Sequence, residues 1–130
     1  MIVYRIEHKK DGLGPYAFRS ENEYLNKILD ALGDGTSTNR HPLPCYDEMN
    51  ADRITTSHFF GFETKEALND WFSNKWIKFL YSNDFRVYQY KVLKKKVLFG
   101  RKQVAFIKKD VKIRVEISLN EVLKRKKVNV

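Results

Sequence analysis

Period-two and helical patterns follow one another along this chain, and their order restricts the fold more than its composition does. Ile2, Tyr4 and Ile6 alternate with Val3, Arg5 and Glu7. Phe85, Val87 and Gln89 alternate with Arg86, Tyr88 and Tyr90. Val111, Ile113, Val115 and Ile117 alternate with Lys112, Arg114 and Glu116, the cleanest pattern of a half-buried strand in the chain. Successive strand side chains point to opposite faces, so such alternation predicts strands. Residues 54–62, β-branched and aromatic, read as a buried strand, and residues 97–99 and 103–107 around Gly100 as a hairpin. Between these lie helical spacings. Ser20 and Glu23 form a capping box ahead of Tyr24, Leu25, Ile28, Leu29 and Leu32, predicting a helix over 21–33. Thr64 is placed to cap a second helix carrying Leu68, Phe72, Trp76 and Leu80, widened by Trp71 and Phe79, with a kink or division at Ser73-Asn74. Ser118 and Glu121 repeat the capping box before a short C-terminal helix. This order, with the strands clustered late, predicts an α+β fold: a mostly antiparallel sheet, two main helices and a short C-terminal one. A length of 130 residues predicts one domain over 1–130. Residues 34–52, with Pro42 and Pro44, read as a long loop.

Charge divides the chain unequally. From Lys91 to Val130 there are 14 Lys or Arg and 3 Asp or Glu, whereas residues 1–90 hold 11 basic and 13 acidic side chains. The last third is therefore strongly cationic and the remainder slightly acidic, within a net charge of +9. Clustered Lys and Arg raise the local potential and recruit anions, so the expected partner is an anionic macromolecule, nucleic acid or an acidic host protein, with a nucleotide also possible. The longest apolar runs are too short to span a membrane. The start is charged by Arg5 and has no signal-peptide stretch, and the single Cys45 cannot form an internal disulfide. Both features predict a cytoplasmic setting.

Three segments place reactive side chains near turn signals: Arg5, Glu7 and His8 before Gly12-Leu13-Gly14-Pro15; His41 to Asp47; and His58-Phe59-Phe60-Gly61-Phe62. Arg5 lies on the opposite strand face from Ile6, so if both faces are covered it must meet an acid or a ligand. A structural ion pair with Glu7 and an anion-binding role both fit, since guanidinium presents a planar fork of donors. Gly12 and Gly14 mark a turn rather than a dinucleotide fingerprint, which needs a third glycine and a following helix. His41, Cys45 and Asp47 lack the paired spacing of zinc ligands, and His41 is expected to bond a backbone carbonyl. No P-loop, GxSxG or HExxH occurs, so no cofactor and no metal is expected. The cationic candidates are Lys94, Lys95, Lys96, Arg101, Lys102, Lys108, Lys109, Lys112 and Arg114, on or beside the late strands. With Tyr88 and Tyr90 they make either a stacking surface for single-stranded nucleic acid or a solvated edge over buried tyrosines.

These cues together resemble a family of small phage and prophage proteins. The resemblance runs over Tyr4-Arg5-Ile6-Glu7-His8, His41-Pro42-Leu43-Pro44, His58-Phe59-Phe60-Gly61-Phe62 and Trp71-Phe72 to Gln103-Val104-Ala105-Phe106, about residues 1–107. It implies a phage accessory protein of host takeover or counter-defence, acting by binding, and it leaves the basic remainder as an addition. A second resemblance, to ADP-ribosyltransferases, matches Arg5 or His8 to the first-strand element and residues 57–62 to the second. With the polar residues near the turns, it makes Arg5, His8, His41, His58 and Gln103 the nucleotide- or anion-binding candidates. The family's late-strand glutamate is replaced by Gln103, which cannot stabilise a cationic sugar as a carboxylate does. Binding by the first reading, with NAD chemistry as the alternative, is the expectation.

Overall fold

Two antiparallel three-stranded sheets, joined along one seam, carry the structure. The computed structural model describes residues 1–33, 53–55 and 57–124. The elements are β1 (Ile2–His8), α1 (Glu23–Gly33), β2 (His58–Gly61), α2 (Lys65–Ser82), β3 (Phe85–Val92), β4 (Leu98–Phe99), β5 (Val104–Ile107), β6 (Val111–Ile117) and α3 (Leu119–Val122). The first sheet runs β1-β3-β6 and the second β2-β5-β4. The fold is α+β, as the alternation and spacing predict.

The seam is a close approach of β1 to β2. Tyr4 N–H donates to the Phe62 carbonyl at 2.7 Å and Phe62 N–H to the Tyr4 carbonyl at 2.8 Å. Only glycine permits it: a Cβ on Gly61 would lie 2.6 Å from Val3 Cγ1 and 2.7 Å from the Tyr4 carbonyl oxygen. The second sheet then folds over one face of the first. Val3, Tyr88, Tyr90 and Val92 pack there against Val97, Val104 and Phe106. The opposite face takes the helices, where Ile6, Phe85, Val87 and Ile117 meet Leu29, Leu32, Leu68, Phe72, Leu80 and Val122. The Tyr81 hydroxyl ties α2 to this face, donating to the Ile117 carbonyl at 2.7 Å and accepting from Val87 N–H at 3.1 Å.

Local details differ from the sequence expectations in four places. The N-cap of α1 is Asn22, whose Oδ1 accepts from Tyr24 and Leu25 N–H; Ser20 Oγ instead accepts from Asn22 N–H. A two-residue shift of the cap starts the helix at Glu23. Ser118 makes no side-chain cap; its backbone carbonyl accepts from Glu121 N–H at 3.1 Å. The second strand begins at His58, four residues later than residue 54, since Thr55 and His58 close a turn there. β6 has its expected limits, but Ile113 and Val115 are 53% and 49% exposed. The helical layer covers its strand face only at the Ile117 end, and β6 is the edge of its sheet. In α2, by contrast, Thr64 Oγ1 accepts from Ala67 N–H and the chain kinks at Ser73, as expected. The basic segment is no addition: β6 pairs with β3 from Val87↔Ile117 to Val92↔Val111.

Candidate functional site

Between the two sheets, at their rim, three cations converge on one carboxylate. Glu7 is fully buried, placed there because β1 has cover on both faces and alternation turns Arg5 and Glu7 toward the second sheet. Arg5 Nε donates to Glu7 Oε2 at 2.9 Å, Lys108 Nζ lies 3.3 Å from the same oxygen, and Arg114 Nη2 donates to Oε1 at 2.8 Å. The Tyr90 hydroxyl closes the set with a short hydrogen bond to Oε1 and accepts from Arg114 Nε at 3.1 Å. A buried charge is retained only when paired and hydrogen-bonded, and here every group is.

Backbone carbonyls complete the coordination of Arg5. Nη1 donates to the Phe60 carbonyl at 3.0 Å and Nη2 to that of Gly12 at 3.2 Å. Gly12, at φ 73°, turns the 9–14 loop so that its carbonyl faces inward. Aromatic rings flank the cations: Arg5 Cζ and Lys108 Nζ lie 4.8 and 4.6 Å from the Phe59 centroid, and Arg114 Cζ lies 3.6 Å from that of Tyr88. Such faces attract cations.

The electrostatics follow from this geometry. Burial pushes the Glu7 carboxyl up, but hydrogen bonds from Tyr90 and Arg114 and the charges of Arg5 and Lys108 outweigh it and hold it below the ordinary range. Burial and the neighbouring carboxylate both push the Tyr90 hydroxyl well up. Burial lowers Arg5, with Glu7 opposing. For Arg114 burial is outweighed by bonds to Glu7 and Tyr90, and it rises. Three cations against one carboxylate leave two positive charges in excess. Arg5 is sealed in, while the Lys108 and Arg114 side chains keep 35% and 44% of their surface in solvent. The excess charge is therefore presented outward by these two.

The nucleotide-site candidates do not all gather here. Arg5 does, as an ion-paired group. His8 lies on the other face of β1, stacked on Phe18 at 4.2 Å, its Nδ1 accepting from Lys10 N–H at 3.2 Å. His58 Nδ1 accepts from Thr55 N–H at 3.0 Å, and its partner across the ladder is Ile107, next to Lys108. Gln103 is buried at the far end of β5, its carbonyl accepting from Gly100 N–H at 2.9 Å. His41 and the rest of the 34–52 loop lie outside the described residues.

Among the cationic candidates, Lys108 and Arg114 join the cluster. Lys109 shares the turn Lys108–Asp110, and Lys112 opens β6. The turn Lys94–Lys96 leaves β3 at the end of the ladder where Val92 pairs Val111, so it adjoins the start of β6. Arg101 and Lys102 sit in the β4–β5 turn, at the opposite end of β5 from Lys108, lining a cleft of about 510 Å³ with Ala67, Asp70 and Trp71. Tyr88 and Tyr90 are buried between the sheets and offer no stacking surface. The sequence names Tyr90, Tyr88 and Phe59 but not their roles: the Tyr90 hydroxyl crosses from β3 to Glu7, and the rings of Phe59 and Tyr88 face the cations. The one available signal was Glu7, an acid two residues from Arg5 and so on the same face.

A family model, described as bacteriophage T4 Y00F protein, matches residues 1–120. The chain belongs to this family. The Y00F match reaches beyond residue 107 and takes in all of β6, in agreement with the pairing of that strand. No curated protein and no solved structure matches the Y00F-family chain. The resemblance to ADP-ribosyltransferases finds no counterpart in these comparisons. No helix among the described residues is long and apolar enough to cross a membrane.

Proposed function

We propose that this phage protein is an accessory factor of host takeover or counter-defence, active in the host cytoplasm, that works by binding an anionic partner, with nucleic acid the favoured class. The observation that carries this reading is the surplus of two positive charges around Glu7, directed outward through Lys108 and Arg114. Glu7 and Tyr90 fix Arg114, so its remaining donors reach a phosphate with little ordering cost. Lys109, Lys112 and Lys94 to Lys96 are exposed beside it and extend the positive field. Phosphate neutralisation releases counterions, so affinity falls linearly with salt on a logarithmic scale.

The test is fluorescence anisotropy with single-stranded DNA, single-stranded RNA and duplex DNA at stepped salt. Binding that weakens steeply with salt is expected, with a smaller slope for Lys109→Gln. Absence of binding to every nucleic acid at low salt would leave an acidic protein surface as the partner. Binding indifferent to salt would sink the anionic reading altogether. NAD chemistry has no observation in its favour, since three Arg5 nitrogens already donate within the fold. Incubation with NAD is expected to release no nicotinamide.

A further inference from the structure

Two lysine-bearing turns of the same build stand side by side at one end of the first sheet. Leu93-Lys94-Lys95-Lys96-Val97 and Ile107-Lys108-Lys109-Asp110-Val111 share the pattern aliphatic-Lys-Lys-X-Val. Each is a single 3₁₀ turn between extended residues, closed by the valine N–H on the carbonyl of its first lysine. The first follows β3 just after Val92 and the second runs into β6 at Val111. Val92 and Val111 are ladder partners, so the two turns spring from adjoining strands, which lie about 4.8 Å apart. Lys108 reaches back to Glu7 at 3.3 Å and joins the second turn to the Glu7 cluster. Lys94, Lys95, Lys96 and Lys109 are exposed, as are Lys91 and Lys112 on the flanking strands, and Asp110 is the one acid in either turn. Side chains of a 3₁₀ turn project about 120° apart, so Lys94 to Lys96 fan out. Lys91 is the ladder partner of Ile113, so it and Lys112 lie on opposite faces of the sheet. The charge surrounds the end of the sheet instead of following a line.

We infer that the twin turns engage the phosphates of a double-stranded nucleic acid without reading its bases. This rests on the nucleic-acid reading above and names the form of the partner. A single strand is held by a charged track together with rings on which its bases stack. The rings nearest these cations are not free to stack, since Tyr88 and Tyr90 are buried between the sheets. Of the exposed aromatic side chains among the described residues, Tyr24 is on α1 and Tyr16 bonds Trp71 of α2. Phe99 pairs with Val104, at the opposite end of β5 from Lys108. A duplex carries about one charge per 1.7 Å of axis against one per 3.4 Å for a strand, and its two phosphate rows suit lysines that fan out on both sides of a sheet end. Base edges are read chiefly by planar groups that make two fixed contacts, whereas lysine meets phosphate as a point charge. The six exposed cations here are all lysine, and the fork of neighbouring Arg114 is held by Glu7 and Tyr90.

Fluorescence anisotropy of the full chain with a short duplex, with each of its separated strands and with a second duplex of unrelated sequence reads this directly. At low salt the duplex is expected to bind about tenfold or more tighter than either strand, and the two duplexes within about twofold of one another. Six lysine contacts would give a logarithmic salt slope of about −5. Lys95→Gln combined with Lys109→Gln, one lysine from each turn, should reduce that slope by about 2. Lys27→Gln combined with Lys78→Gln, exposed on α1 and α2 and equal in charge, should leave it nearly unchanged. All four side chains are exposed, and unchanged thermal unfolding of the variants confirms an intact fold. Binding to no nucleic acid overturns the reading on which this inference rests. Single strands bound as tightly as the duplex overturn this inference alone. A marked preference between the two duplexes overturns the indifference to bases, and equal slope changes in the two double variants overturn the placement at the turns.

Discussion

Glu7 shows how one side chain can be required by three others. Arg5, Lys108 and Arg114 owe their positions to its carboxylate, and Arg5 is too buried to regain water if that charge is lost. Breaking a buried pair from one side typically costs about 3–5 kcal/mol. Glu7→Gln is expected to lower unfolding stability by about that amount in urea titration. Tyr90→Phe removes one hydrogen bond to a charged acceptor and should cost less, about 1.5–3 kcal/mol. The folded carboxyl lies below the ordinary value of 4.5, so the stability Glu7 supplies is complete above that pH. It drains away as pH falls from there through the folded value, because the unfolded chain takes up the proton first. The stability gap between wild type and Glu7→Gln should therefore narrow on acidification, and a gap constant from pH 6 to pH 3 would exclude this origin.

At the scale of elements, two sites hold strain or closeness that the local sequence must tolerate. Ser73 sits inside α2 at φ 73°, ψ 159°, a region that costs a non-glycine residue roughly 1–3 kcal/mol. The kink is anchored nearby: Asn69 Nδ2 donates to the Val122 carbonyl at 2.9 Å, and Asn74 Nδ2 to that of Lys124 at 3.0 Å. With the bend fixed by α3, Ser73→Gly should relieve strain and raise stability by about 1 kcal/mol, less a part lost to glycine entropy. A lowered thermal midpoint would mean that the serine is held comfortably. Gly61→Ala has the opposite expectation. The added carbon meets backbone at 2.7 Å, and the seam between β1 and β2 must open. Overpacking of this kind costs about 1–3 kcal/mol, visible in the same unfolding measurement.

For the whole molecule the question is where positive charge matters rather than how much there is. Lys94, Lys95 and Lys96 carry the same charge as Arg125, Lys126 and Lys127, so replacing either trio by glutamine lowers the net charge equally, from +9 to +6. The first trio adjoins the start of β6 and the Lys108–Asp110 turn. Its replacement is expected to reduce the salt slope of nucleic-acid binding more than replacement of the second. Equal effects would mean that overall charge alone drives association.

Strand limits at 85–92 and 111–117, the kink at Ser73, the Thr64 cap and the α+β class were legible in the sequence because period and local chemistry decide them. The same holds for the Arg5–Glu7 pairing, since two residues apart on a strand share a face. Which faces are covered was not legible. Burial depends on what packs above a strand, so the equivalent apolar alternations of β3 and β6 ended one buried and one half exposed. Nor was the convergence of Lys108, Tyr90 and Arg114 on Glu7, separated from it by 83 to 107 residues along the chain for the last two. Contacts of that span are set by the Gly61 seam and the folding of one sheet over the other, which bring charges together that no local pattern relates.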